Sequence, residues 1–139
     1  MAVFNKINDF VQDLGEEVHD LASDQLKVAL TNTAVVATNG QKSNLTGVIA
    51  NTNLGGAGAF NITTTSFTNT AGTSKLILAD LVLTATGAVG PFRYIAIYND
   101  TAPTDELIGW YDYGSSVTMA SGDTFTCDFN AASGALTIT

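Results

Sequence analysis

Apolar side chains recur with two different periods along the chain, and the change falls near Ser23. Over residues 4–21, Phe4, Ile7, Val11, Leu14, Val18 and Leu21 step by three, four, three, four and three. That heptad-like spacing puts them on one stripe of a helix. Asp9, Asp13, Glu16, Glu17 and Asp20 fill much of the remainder, several of them four apart and so mildly repulsive. Gly15 weakens the helix by about 1 kcal/mol relative to Ala. A helix of this composition needs a surface to dock on, its own domain or a neighbour. The pattern therefore predicts an N-terminal amphipathic helix over 1–24, followed by a domain over 25–139 that folds without it.

Beyond Ser23 and Asp24 the period becomes two. Leu26, Val28 and Leu30 alternate with Lys27 and Ala29, which predicts a strand over 25–31. Residues 32–58 hold turn signals at Asn39-Gly40 and Gly55-Gly56-Ala57-Gly58, with Lys42 as the one charge. They read as a polar loop able to adapt to a partner. Strands are predicted over 60–68, 75–86, 92–99, 106–113, 117–119, 124–129 and 136–139, with turns at 71–74, 99–104 and 121–123. Short strands with turns every 8–12 residues are the pattern of an antiparallel β-sandwich or barrel. No strand–helix alternation follows residue 24, which argues against an α/β fold.

Charge narrows the function classes. Five basic residues face thirteen acidic ones, a formal net charge of −8 at pH 7, and only 13% of residues are charged. Binding to a phosphate backbone needs clustered Lys and Arg, so nucleic acid is not an expected partner. The chain of 139 residues is long enough for one ordinary core. It opens without a continuous apolar run after Lys6, and no stretch reaches membrane-spanning length, so cytoplasmic synthesis and no membrane contact are expected.

Few residues point to chemistry. His19 is the single His, and metal sites of known spacing need a second ligand of that kind. Cys127 alternates with Phe125 and Phe129 and reads as an inward-facing small hydrophobe. Asp100, Asp105, Glu106 and Asp112 could supply a glycosidase pair or calcium oxygens. Three of them flank one turn, however, where carboxylates usually cap backbone. No catalytic, metal or cofactor residues are assigned, and the chain is not expected to be an enzyme. Asn-x-Thr sequons at Asn44, Asn61 and Asn99 are ordinary for a Thr-rich chain.

Residues 90–114, GPFRYIAIYNDTAPTDELIGWYDYG, hold the only Arg, the only Trp and all four Tyr. Arg93 lies within an aromatic strand. Its fork suits an intradomain clamp to Asp112 or Asp80, or a salt bridge between subunits. Alternation sets Trp110 on the opposite face from Tyr111 and Tyr113, one set toward the core and the other available as an interface anchor. The candidate interface residues are therefore Arg93, Tyr94, Trp110 and Tyr111, together with the stripe Phe4, Ile7, Val11, Leu14, Val18 and Leu21.

The segments GPFRYIAIYNDTA, LIGWYDYG and SGDTFTCDF, with the opening FNKINDFVQDLGEEVHDL and LKVALTN, resemble small structural proteins of tailed bacteriophages. The likeness covers both ends and most of the second half and is weakest over 32–58. It implies a capsid decoration (cement) protein with a β-sandwich or jelly-roll body, bound to the major capsid protein on the outside of the virion after synthesis in the host cytoplasm. It also implies a homo-oligomer, a trimer ahead of a dimer. A phage tail, head-fibre or receptor- or carbohydrate-binding module uses the same aromatic residues and stays open.

Overall fold

The computed structural model describes residues 2–139. Within them the chain runs β1 (Phe4–Lys6), α1 (Phe10–Gly15), β2 (Leu26–Thr31), β3 (Asn61–Ile62), β4 (Thr64–Thr70), β5 (Thr73–Leu78), β6 (Leu81–Thr84), β7 (Val89–Asn99), β8 (Leu107–Met119), β9 (Thr124–Cys127) and β10 (Leu136–Ile138). The strands form three antiparallel sheets. Five make the order β1-β8-β7-β2-β3, three make β10-β5-β4, and β6 pairs with β9. A mainly-β fold with one N-terminal helix is thus what the chain adopts.

The N-terminal segment departs most from the predicted pattern. The helix covers Phe10–Gly15 alone, and Phe4–Lys6 is a strand on the edge of the five-stranded sheet, with Phe4 opposite Tyr111 and Lys6 opposite Gly109. Backbone pairing with β8 competes with helical bonding for the same N–H and C=O groups. It continues one residue past β1, where the Ile7 N–H donates to the Ile108 carbonyl (3.1 Å), and the Asn8 N–H then turns to the carbonyl of Ala37 in the loop after β2 (2.9 Å). At the other end Glu17 takes φ 63°. The turn that follows is held by Asp20, whose carboxylate accepts from the Ala22 N–H and the Ser23 hydroxyl. Ile7, Phe10 and Leu21 are buried in the same continuous core as the strands. The segment is a wall of the domain rather than a cap added to it.

Position in the sheet explains the pattern of β2 and β7. Each has a neighbour on both edges, and Val28, Ala29 and Leu30, like Ile95 to Asn99, are buried on both faces. The alternation expected of a half-exposed strand is lost there because both faces are covered. The predicted strand over 75–86 is two strands. It breaks at Ala79-Asp80, sending β5 to β4 and β10 and β6 to β9, while the Asp80 carboxylate accepts from the Phe129 N–H (3.1 Å). The predicted pieces 106–113 and 117–119 are instead one strand, β8. Between β4 and β5, Ala71 and Gly72 both have positive φ (50° and 87°), the backbone that a two-residue turn needs to match strand twist.

Phe10, Phe92 and Phe129 are the bulkiest fully buried side chains. Phe92 meets Phe125 edge-on at 5.1 Å, and Tyr111 meets Phe129 at 6.2 Å, so aromatic contacts join the five-stranded sheet to β9 and the residues after it. The segment 32–58 is pinned rather than adaptable. It carries 3-10 turns at Lys42–Asn44 and Thr52–Leu54, buries Val35 and Leu54, and bridges Val48 to Thr31 and Gln41 to Glu106.

Candidate functional site

Register places the predicted aromatic residues side by side. Across β7 and β8, Tyr94 stands opposite Asp112, Ile95 opposite Tyr111 and Ala96 opposite Trp110, with an irregularity between Phe92 and Tyr94. Arg93 donates from Nε to Asp112 Oδ1 (2.7 Å) and from Nη2 to Oδ2 (2.9 Å), while the Gly114 N–H donates to the same Oδ1 (2.8 Å). The guanidinium also lies 5.3 Å from the Tyr94 ring centre. Hydrogen bonding to Arg93 holds the Asp112 carboxyl below its usual range, and hydrogen bonding to Asp112 raises the guanidinium. The clamp is thus made within the chain. Both side chains stay more than a third exposed (38% and 37%), so the pair reaches the surface as a rigid, neutralised unit.

The other aromatics divide by burial. Trp110 and Tyr94 are half-buried. Tyr111 is half-buried too, edge-on to Phe4 (5.4 Å), and burial pushes its hydroxyl up to about 12. Tyr113, on the same alternation face as Tyr111, is 52% exposed and rests on Phe125. Tyr111 reaches the buried Phe129 and Tyr113 the half-buried Phe125, so the alternation holds and the depth of cover differs. Tyr113 therefore lies on the face turned to β9, opposite the one that carries Tyr94, Trp110 and the Arg93–Asp112 fork.

The N-terminal stripe is not one contact face. Ile7 and Leu21 are core, Phe4, Leu14 and Val18 are half-buried, and Val11 is 53% exposed. Phe10, outside the predicted stripe, is fully buried; its spacing of three from Ile7 and four from Leu14 is the signal that could have found it. Val3, Phe4 and Val11 with Leu136 and Ile138 line an open groove of about 510 Å³ between the edge strands β1 and β10.

The residues weighed for chemistry lie apart. Asp100 pairs with Lys27 (2.9 Å), Asp105 with Lys42 (3.7 Å), Asp112 with Arg93, and Glu106 with the Thr104 hydroxyl. No group of three or more His, Cys, Asp or Glu gathers among the described residues in a way that could hold a metal ion. Cys127 is buried, and burial pushes its thiol up to about 12. Asn99 is fully buried with its side chain bonded, so its sequon is no surface acceptor. Lys42 donates to the Tyr98 hydroxyl (3.1 Å) and sits over its ring (4.4 Å). Together with Lys27, Val48 and Phe60, these two residues line a cleft of about 410 Å³. The chain matches no known protein family, no characterised protein and no solved structure.

Proposed function

We propose that this chain is a structural protein of a bacteriophage particle that decorates the outer surface of the capsid and stabilises it by bridging neighbouring copies of the major capsid protein. The observation that carries the reading is the surface of β7 and β8. There the Arg93–Asp112 fork, Tyr94 and Trp110 stand half-buried on one face of strands anchored in the core. Aromatic residues and Arg on a rigid support, with few free charges, are the composition of an interface centre. The resemblance of the segments around these residues to tailed-phage structural proteins points the same way. So does the net charge of −8, which suits encounter with a basic shell surface.

In this reading the body is a β-sandwich or jelly roll, the protein has no enzymatic role, and it works as a homo-oligomer, a trimer ahead of a dimer. Many weak contacts repeated on a lattice give firm attachment. The test mixes purified protein with particles lacking it and measures occupancy and heat resistance. Saturable binding that raises the temperature of particle rupture, weakened by Tyr94→Ala with Trp110→Ala, is expected. A monomer that neither binds nor protects the particles, and binds a glycan through the same aromatics, would overturn the reading in favour of a receptor- or carbohydrate-binding module.

A further inference from the structure

His19 is the only histidine of the chain, and its side chain is 0% exposed. Helix α1 and the end of β7 enclose it. Phe10 of α1 stacks on the ring with centroids 5.6 Å apart. Asn99, at the end of β7, brings its amide nitrogen to 3.1 Å from Nδ1. Among the described residues Nε2 has no hydrogen-bond partner, and it lies 4.0 Å from Asp13 Oδ2. The charged groups that act on the ring are Asp13 on α1, Asp24 before β2 and Glu106 before β8.

Asn99 settles which ring nitrogen accepts. Its Oδ1 takes the N–H groups of Thr101 (2.9 Å) and Ala102 (3.2 Å). Its Nδ2 therefore faces His19 Nδ1, Asp24 Oδ2 (2.6 Å) and the Val18 carbonyl (3.4 Å). Turning the amide over would set Oδ1 against a carboxylate and a carbonyl, and the NH₂ against two N–H donors. The orientation is fixed, so Nδ1 is the acceptor and Nε2 carries the proton of the neutral ring. A second proton can enter only at Nδ1, where it would meet an N–H donor.

We propose that His19 is an acid-release latch: the neutral ring holds residues 16–24 against the end of β7, and protonation at Nδ1 opens that contact and loosens the N-terminal segment. The latch stands independently of the capsid reading. Burial lowers the pKa of His19 in the closed state, outweighing the upward pull of Asp13, Glu106 and Asp24. An opened ring titrates near its ordinary 6.5. The closed state is therefore fully favoured above that value and loses stability as pH falls through it. Neighbouring carboxyls act lower down. Those of Asp20 and Glu106 are lowered, so their contribution is lost only within the acid carboxylate range. That of Asp13 is raised by burial and opposes the loss when it protonates. If the closed ring takes no proton, the opening equilibrium rises at most about 25-fold between about pH 7 and about pH 5.

The test uses the whole chain. Nitrogen-15 NMR of the ring reads its tautomer and titration, and hydrogen exchange, corrected for intrinsic rates, reads protection of residues 10–24. The expected result is an Nε2–H tautomer at neutral pH, a midpoint below 6.5, and protection over residues 10–24 that falls by up to about 25-fold from about pH 7 to about pH 5 while β7 and β8 hold theirs. His19→Gln, whose Oε1 can still accept from Asn99, should flatten the pH dependence. An Nδ1–H tautomer, a midpoint at or above 6.5, or an unchanged pH dependence in folded His19→Gln would each overturn the latch. Should that variant fail to fold, the wild-type ring titration and tautomer decide alone.

Discussion

Gly109→Ala probes the contact that turns the first residues of the chain from helix to strand. A Cβ at Gly109 would overlap the Phe4 Cζ atom and the Asn5 carbonyl oxygen, and would stand 2.7 Å from Phe4 Cε2. The Asn5 oxygen is backbone within β1 and cannot move without shifting the ladder that sets Phe4 opposite Tyr111 and Lys6 opposite Gly109. Displacing β1 exposes the half-buried Phe4, worth about 1 kcal/mol if half of a full Phe burial is lost. It also weakens about two backbone hydrogen bonds at about 1 kcal/mol each. The lower entropy of an unfolded Ala returns about 0.5 kcal/mol. The expected net loss is about 2–3 kcal/mol, or about 7–10 °C in Tm for a domain of this size. Gly15→Ala is the matched control. Nothing lies within 4 Å of a Cβ there, and its φ is not positive, so it should be neutral or stabilise by up to about 1 kcal/mol. Urea and thermal melts of both variants measure the difference. If Gly109→Ala melts with Gly15→Ala, β1 does not pack on β8 as described. Phe4→Ala in the Gly109→Ala background should cost less than the two changes separately, because they remove one shared contact.

Deleting residues 1–22 removes the buried Ile7, Phe10 and Leu21 together with strand β1, so a cooperative melt should vanish; a truncated chain that melts cooperatively would restore the view of this segment as a dispensable cap. Phe10→Ala alone should lose about 3–5 kcal/mol, measured by urea titration. Cys127→Ser places a hydroxyl at a buried site and should destabilise by about 1–3 kcal/mol, and the native thiol should resist alkylation until the protein unfolds. Both Cys127 and Tyr111 are pushed up to about 12 from 9.0 and 10.0. Their neutral forms are favoured by folding, so stability is full below those ordinary values and is lost as pH rises through them. Tyr111→Phe should flatten the alkaline part of that profile, and an unchanged profile would mean the hydroxyl is not desolvated.

Local pattern carried much of the β-body. Leu26, Val28 and Leu30 mark β2, the run from Phe92 to Asn99 falls within β7, and Phe125 with Cys127 marks β9 and its inward thiol. These segments alternate or end in turn residues, and a neighbouring strand only confirms what each already prefers. That Arg93 needs a carboxylate was likewise legible, but the choice of Asp112 over Asp80 or a second subunit came from the sheet register, which sends Asp80 to the Phe129 N–H. Tertiary structure decided the rest. Steps of three and four from Phe4 to Leu21 suit a helix, yet the edge of β8 offered Phe4–Lys6 a partner, and Gly109 left room for the Phe4 ring. Nothing near His19 in the chain announces its burial. The amide that fixes its tautomer belongs to Asn99, 80 residues away, and reaches it only because β7 ends beside the turn after α1. Periodicity reports which face of an element is apolar. It cannot report which distant edge will compete for the backbone or which side chain will close over a polar ring, because those free energies exist only once the sheets have assembled.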